Sequence, residues 1–465
     1  MIACPNCGGN TKFDIASQQI LCEFCDTKYD PYMFDNKSSD AIEAQDFEVT
    51  VFTCPQCGGE ILSTDDAAAG FCSFCGASTI LYSRISHEKR PGYIIPFQKT
   101  KDDCKKAYAD LMKKAIFAPK ELKDPKYIDG FRGIYMPYWA YYFTQQGEFR
   151  INGKKSYRRG DYIYTDYYDL KGEIDAYYKG ITYDASSSFA DSISEALAPY
   201  DVKGMKAFTP AYLSGFYADT ANVYSSVYQY DAEGIAVDES MKHLRKTPAY
   251  RGYEIVNPSS AASQLHTQLK SVDYAMFPVW MMSYRKGDRV CYATVNGQTG
   301  KVAADLPVDS KRYFLGSVLL AVPIFLLLNL FLILTPSVFL ITSVIISFLI
   351  AIIYGVELNA IHRKENYEDD KGMQYKNASL KSDALNNVSP AKSGKKKGLI
   401  ALGIAIIVSL AILFLHPIHD YLYYVGAILC LIAEFVTLVD LMGAYNLLAT
   451  RRLPQFDKKG GDDRA

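Results

Sequence analysis

The 465 residues carry 50 Lys and Arg against 51 Asp and Glu, a formal charge of −1, and 49% of them are hydrophobic. A chain of this length divides into two or three domains, and its balanced charge excludes a global basic field that would advertise nucleic acid or acidic lipid as the partner. Eight of the eleven cysteines fall within the first 75 residues. The opening MIACPNC has neither the basic nor the apolar stretch of a secretory signal, so this part is expected in the reducing cytosol, with thiols free to bind metal.

The first elements in chain order are two modules, residues 1–35 and 50–82, that share one frame: Cys4-x2-Cys7-x14-Cys22-x2-Cys25, then Cys54-x2-Cys57-x14-Cys72-x2-Cys75. Four thiolates at about 2.3 Å from one ion complete a tetrahedron, and each Cys-x-x-Cys aims two sulfurs at a single point. Gly8, Gly9, Gly58 and Gly59 suit the tight turns, because glycine takes positive φ without strain. The shell is closed, so two structural zinc ions (Zn2+) are expected, with Cys4, Cys7, Cys22 and Cys25 on one and Cys54, Cys57, Cys72 and Cys75 on the other. Residues 1–80 hold three lysines and twelve acids, a net of −9. Phosphate binding works through Lys and Arg, so this balance argues against nucleic acid. The expectation is two small staples that need metal to hold a core and that offer Phe24, Tyr29, Phe71 and Phe74 to a protein partner.

Residues 92–308 alternate Tyr-rich strand patterns with a few helices and are expected to form a cytosolic α+β domain built on antiparallel sheet. DDCKKAYADLMKKAI places Cys104, Ala107, Tyr108, Leu111, Met112 and Ala115 on one helix face, with Lys105, Lys106, Lys113 and Lys114 opposite. A repeat lies inside the domain: MPYWAYYFTQQGEF from Met136 and FPVWMMSYRKGDRV from Phe277 share Pro-x-Trp and hold the chain's two tryptophans, Trp139 and Trp280. TPAYLSGFY from Thr209 is a fainter third copy, with Tyr212 in the aromatic slot. Proline suits the first residue of a strand, so the copies are expected as equivalent strand entries in two related halves. NGQTGK at Asn296–Lys301 lacks the spacer of a phosphate loop and reads as a hairpin turn. No His-Glu-x-x-His and no Gly-x-Ser-x-Gly occurs, so no catalytic residue is assigned and an enzyme is not expected.

From Phe314 to Val356 the chain runs 43 residues without a charged side chain. As helix that is about 65 Å, roughly twice a ~30 Å hydrocarbon core, so residues 313–356 are expected to cross a membrane twice, turning at Leu334–Val338. A second apolar block, 398–450, is broken by HPIHD at His416–Asp420 and supplies two more spans. The cations Lys311 and Arg312, Arg363 and Lys364, Lys395–Lys397, and Arg451 and Arg452 then fall on one side, which the positive-inside rule makes the cytoplasm. The expected location is a bacterial cell membrane, multi-pass, with both termini cytoplasmic. Residues 357–397 read as a polar, flexible cytosolic linker whose basic run could touch anionic headgroups. Glu434 sits within the fourth span, where an ionised carboxylate is costly; it is expected to face other helices as a tie, with Asn329 and Thr437 as candidate partners.

The fold class is therefore an α+β multidomain membrane protein: two N-terminal Cys4 zinc ribbons, an antiparallel-sheet-rich α+β domain, and four transmembrane helices as two hairpins. The tandem CPxCGG…CxFC ribbons, IPF at Ile95, YMPYWAYY, AMFPVWMMSY and VNGQTGKVAADLPV ahead of the spans resemble, over roughly residues 1–356, the bacterial family of TFIIB-type zinc-ribbon-containing membrane proteins. That resemblance implies an assembly at the inner face of the cell membrane that recruits coat-forming phage-shock protein A (PspA) beside a flotillin-like SPFH protein in envelope stress. By residue it transfers only the eight cysteines. The function expected is a membrane-anchored scaffold in an oligomeric complex that recruits a PspA-like or SPFH-like cytosolic protein. The alternatives are a small transporter or channel accessory working through Glu434, and a membrane-tethered nucleic-acid-binding protein, which the charge disfavours.

Overall fold

Each Cys-x-x-Cys reverses the chain, and the strands follow from where those reversals send it. The computed structural model describes residues 3–34, 46–63, 72–77, 82–331, 334–379 and 397–453. The first module is a three-stranded antiparallel sheet in which β1 (Thr11–Asp14) pairs with β2 (Gln19–Cys22), and β2 with β3 (Lys28–Tyr29). The Asp14 carboxylate accepts from the Ser17 amide at 2.9 Å and holds the β1–β2 turn, where Gln18 has φ +56°. In the second module β4 (Asp46–Thr53) lies between β5 (Glu60–Ser63) and β6 (Tyr82–Lys89).

The middle of the chain runs β7 (Tyr93–Ile94), α1 (Lys101–Lys114), α2 (Pro125–Ile128), β8 (Arg132–Arg159), β9 (Tyr162–Asp184), α3 (Asp191–Leu197), β10 (Lys206–Ala207) and β11 (Tyr217–Ala218). It continues with α4 (Gln229–Lys246), β12 (Glu254–Ile255), α5 (Pro258–Ser263), β13 (Thr267–Lys286), β14 (Arg289–Asn296) and β15 (Val302–Ala304). A capping box between Thr100 and Asp103 starts α1, which buries Cys104, Tyr108 and Met112 and leaves Lys106, Lys113 and Lys114 exposed.

The Pro-x-Trp repeat is the organising feature of the sheet. The copies are neighbours: β8 and β13 pair antiparallel, with Pro137 opposite Met276 and Pro278 opposite Tyr135. Strands β11 and β9 share the far edge of β8, β11 ending at partner Tyr135 and β9 beginning at Tyr138; β7 and β14 share the far edge of β13 in the same way, ending at Met276 and beginning at Val279. The two units β7–α1–β8–β9 and β11–α4–β13–β14 are thus related by a local two-fold, each lending its first short strand, in parallel, to the other's long one. Both prolines lie inside their strands rather than at the entry expected from the sequence. The missing N–H is tolerated because each falls in the gap between two flanking strands. Each Trp indole N–H donates to a backbone carbonyl, Trp139 to Val223 and Trp280 to Lys99, both at 2.9 Å. The segment at Thr209 is not a third strand copy: Pro210–Leu213 is a 3-10 turn that buries Tyr212.

Both Cys4 modules are built into this sheet rather than strung before it. β5 pairs with β11, which joins β4–β6 to β8 in one sheet. On one face Phe13 and Ile20 of the first module share a core with Tyr108, Tyr135 and Trp280; on the other Cys54, Cys72 and Phe74 of the second pack with Ile134, Met136 and Phe277.

The remaining helices are α6 (Ser310–Phe331), α7 (Pro336–Glu365), α8 (Lys371–Ser379), α9 (Lys397–Leu415) and α10 (Tyr421–Leu448), and the chain returns to the sheet as β16 (Arg451–Arg452), paired with β14. Four of them, α6, α7, α9 and α10, are long and apolar enough to cross a membrane. Among the described residues the buried apolar clusters of these helices are made by α7, α9 and α10, and α6 contributes to none of them. The expected flexible linker is also corrected. Its first part is helix to Glu365, held by Arg289 and Arg452, and again at α8; residues 380–396 lie outside the described residues. Asp370 caps α8 through the Met373 amide at 2.7 Å, Asp191 accepts from the Lys371 amide at 2.8 Å, and Lys371 pairs with Asp231.

Burial, and Asp191 beside it, push Asp370 up to about 6. An acid raised on folding contributes stability that falls as pH rises from its unfolded value, about 3.9, to its folded one. Asp370→Asn keeps the cap and removes the charge. Relative to wild type it should gain stability between about pH 4 and pH 6, reaching no more than about 3 kcal/mol and staying level above that window. Thermal unfolding across pH 4–8 checks this, and a gain independent of pH would refute it.

Candidate metal centres

Four equivalent knuckles hold the eight cysteines. In each, the first cysteine's amide donates five residues on and its carbonyl accepts from four residues on, as in Cys4 N–H to Gly9 O and Gly8 N–H to Cys4 O, both at 2.8 Å. The residue after the second cysteine takes positive φ: Gly8 +72°, Gly58 +75°, Gly76 +69° and, in the one knuckle without glycine there, Asp26 +54°. Aspartate is among the few side chains that tolerate this region.

The knuckles meet in pairs. The Sγ separations are 3.7 Å for Cys4–Cys25, 3.5 Å for Cys7–Cys22, 3.8 Å for Cys54–Cys75 and 3.7 Å for Cys57–Cys72. Metal–sulfur bonds of about 2.3 Å in a tetrahedron imply sulfur–sulfur edges of about 3.8 Å, whereas a disulfide would bring the atoms to about 2.05 Å. All four Sγ of each set lie within 4.8 Å of one another, so each set could hold one metal ion, and none of the cysteines is in a disulfide. Amides turn toward the sulfurs, Gly59 N–H to Cys57 at 3.4 Å and Phe24 N–H to Cys22 at 3.5 Å, which favours the thiolate form that metal requires. The Thr27 hydroxyl and amide pull the Cys25 thiol down to about 6.

The two centres differ in surroundings. Cys7 is exposed and Cys25 half-buried, whereas Cys54, Cys57, Cys72 and Cys75 are all buried. The second centre is also tied to the sheet by polar contacts that the cysteine spacing could not reveal: the Tyr292 hydroxyl donates to Phe74 O at 2.5 Å, and Arg285 Nη1 to Gln56 Oε1 at 2.8 Å. Of the four aromatics expected on a protein-binding face, Phe24 is 75% exposed and Tyr29 is half-buried against Cys4 and Phe34, while Phe74 belongs to the core and Phe71 lies outside the described residues. Sequence reasoning missed Met33, which is 67% exposed close by in the chain.

Glu434 lies on α10 and accepts from Ser347 Oγ of α7 at 2.8 Å. Thr437, one of its expected partners, instead donates to Gly398 O and Ala433 O, and the Asn329 side chain lies outside those described. Asn296 begins the Asn-Gly turn and its side-chain carbonyl accepts from the Gln298 and Thr299 amides, each at 2.9 Å, so the segment that distantly suggested a phosphate loop is a self-capped hairpin turn.

A protein of Bacillus subtilis (strain 168) described as uncharacterized protein YdjG is 28% identical to the chain over 313 residues, which are 66% of this chain and 90% of that protein. No protein-family model matches the chain, and no solved structure matches it.

The contrast in burial sets an order of fragility. Cys7→Ser should remove one metal equivalent per chain, measured by elemental analysis, and lower stability by the smaller amount, because its site is partly exposed and only Phe13 and Ile20 of its strands enter the sheet core. Cys72→Ser should also remove one equivalent and lower stability by about 3 kcal/mol or more, because it opens a core shared with β8 and β13. Equal losses of stability would contradict the structural distinction. Within the helices, Ser347→Ala should cost about 0.6–2 kcal/mol of bundle stability in detergent, the range of one interhelical hydrogen bond.

Proposed function

We propose that this chain is a non-catalytic scaffold whose four apolar helices cross a bacterial cell membrane, with both termini and both Cys4 centres in the cytoplasm, and that its sheet domain recruits a cytosolic protein to the inner face. Zinc is the metal proposed for both centres, on the chemistry of four thiolates in a closed tetrahedral shell. The partner class, a PspA-like or flotillin-like SPFH protein acting in envelope stress, rests on the resemblance of the sequence motifs.

One observation carries the recruiting role. β8 and β9 form a hairpin that outruns its neighbour β13 by 14 residues of β8, about 45 Å, and turns at Gly160–Asp161. Near the tip Tyr162, Ile163 and Tyr167 are 73%, 74% and 72% exposed, Tyr157 and Tyr164 stack at 5.7 Å, and Lys155, Arg158 and Arg159 stand beside them. Most large aromatics of the domain are packed, Tyr108, Tyr135, Tyr138, Tyr141, Phe97 and Phe277 being fully buried; Tyr224 and Tyr230 are exposed too, but they are near each other at the start of α4 and not on a projecting arm. Tyrosine and arginine are the residues that dominate protein interfaces, so a cluster of them held out on a rigid arm supports a docking role.

The full chain, copurified in detergent with a PspA-like or SPFH-like protein, tests this. Tyr162→Ser with Ile163→Ser and Tyr167→Ser should weaken capture by about tenfold or more while leaving the metal content at two per chain. Undiminished capture by that variant would remove the hairpin from the mechanism. Protease digestion of the N-terminal modules from outside intact cells would overturn the topology.

A further inference from the structure

We propose that the cavity between the inner ends of α6 and α10 binds one glycerophospholipid whose headgroup carries a primary ammonium. This rests on the reading that both helices enter the bilayer. The cavity is about 610 Å3 and is bounded by the first turn of α6, the last turns of α10, and the β13–β14 turn of the sheet domain. It therefore sits where the hydrocarbon ends and the headgroups begin.

The space exists because α6 stands off its neighbours. At its base Asn446 of α10 bonds both the amide and the carbonyl of Val308, at 2.6 and 2.9 Å, and one ring contact, Phe314 with Phe435 at 5.9 Å, lies farther along. On α10, Phe435, Val439, Gly443 and Leu447 follow one another at every fourth residue and form a single exposed stripe that runs into the cavity. A Cβ at Gly443 would meet nothing within 4 Å. An acyl chain can lie along this stripe with its glycerol end at the mouth.

The mouth carries both signs of charge. Arg289 is engaged by Glu365, Leu447 O and Thr450, and Asp309 by Arg312. Lys286 and Lys311, and the carboxylates of Glu121 and Asp288, line the same cavity, are exposed, and have no ion-pair partner among the described residues. Two lysines suit a phosphate diester and two carboxylates suit an ammonium. A headgroup with only negative charge would face the carboxylates, and a trimethylammonium has no N–H to give them.

The full chain, stripped of lipid in detergent, would be offered equal amounts of dioleoyl phosphatidylethanolamine, phosphatidylglycerol and phosphatidylcholine and examined by native mass spectrometry. The expected result is one retained phosphatidylethanolamine. Replacing Lys286 and Lys311 by Gln should weaken retention by about fivefold per lysine. Glu121→Gln with Asp288→Asn should abolish the preference for the ethanolamine lipid over the glycerol lipid, and Gly443→Leu should block retention with the metal content unchanged. Equal retention of all three lipids, or retention indifferent to these variants, overturns the proposal. Alkaline extraction of the same chain from proteoliposomes separates the two failures. A chain that washes off refutes the membrane reading, whereas one that stays without headgroup preference refutes only this site.

Discussion

The second Cys4 tetrahedron is the constraint on which most of the molecule depends. Four buried sulfurs at 3.7–3.8 Å pair separations sit within the apolar core of one sheet face, between β4–β5 and the long strands. From there a short chain of contacts reaches the long apolar helices. Phe74, inside the last knuckle, accepts from Tyr292 of β14; β14 pairs with β16, which directly follows α10. Asp305, just after β15, lies 4.0 Å from Lys364 of α7 and 3.7 Å from Arg451. A metal bound among those thiolates would convert the Cys54–Cys57 and Cys72–Cys75 turns from local reversals into a fixed corner of the sheet, because each knuckle is too small to bury a core of its own.

The sheet itself answers a different physical demand. Two long strands, each with a proline inside the stretch where they pair, can do so only if nothing requires the missing N–H. The local two-fold meets that demand twice by ending one flanking strand and starting the next beside Pro137 and Pro278. The same arrangement sends β8 and β9 past the end of β13, so the exposed hairpin follows from the difference in length between two otherwise equivalent halves. In the first half the strand pair is prolonged as far as Gly160; in the second it closes early, at the Gly287 turn, where φ is +64°.

How much of this was readable in advance depended on whether the determining contact was local. Ligand spacing, the α1 face and the apolar runs are local patterns, and the cysteine clusters, the burial of Cys104, Tyr108 and Met112, and four helices of sufficient length appear where those patterns put them. The Trp139–Trp280 repeat was visible, but the role of its prolines was not, since a gap between flanking strands is defined by β7 and β11, two-residue strands too short to leave a pattern. Phe74 looked like a surface aromatic because its module was read as a separate bead; its burial comes from β14, more than 200 residues away. The helix past Val356 was misjudged for the same reason. Its polar face, Glu365 above all, is satisfied by Arg289 and Arg452, which no window of local sequence contains.

The junction where these elements meet also explains why α6 differs from the other three apolar helices. Three anchors converge on the C-terminal ends of α7 and α10: Arg289 on Glu365, Arg452 on Glu365, and Lys364 on the last carbonyl of α10. These fix the pair rigidly to the sheet, and α9 packs against both through small residues such as Ala405, Ala433 and Gly398. Among the described residues α6 has no such polar clamp with the bundle beyond Asn446 on Val308 just before it; its base is held instead by the α1 end of the domain, through Arg312 Nη1 on Ala118 O and Tyr313 against Phe117. Two separate attachments to one rigid sheet leave a wedge of space between α6 and α10. The shape of that wedge is therefore set by where the sheet domain holds the two helix bases and not by contacts between the helices themselves.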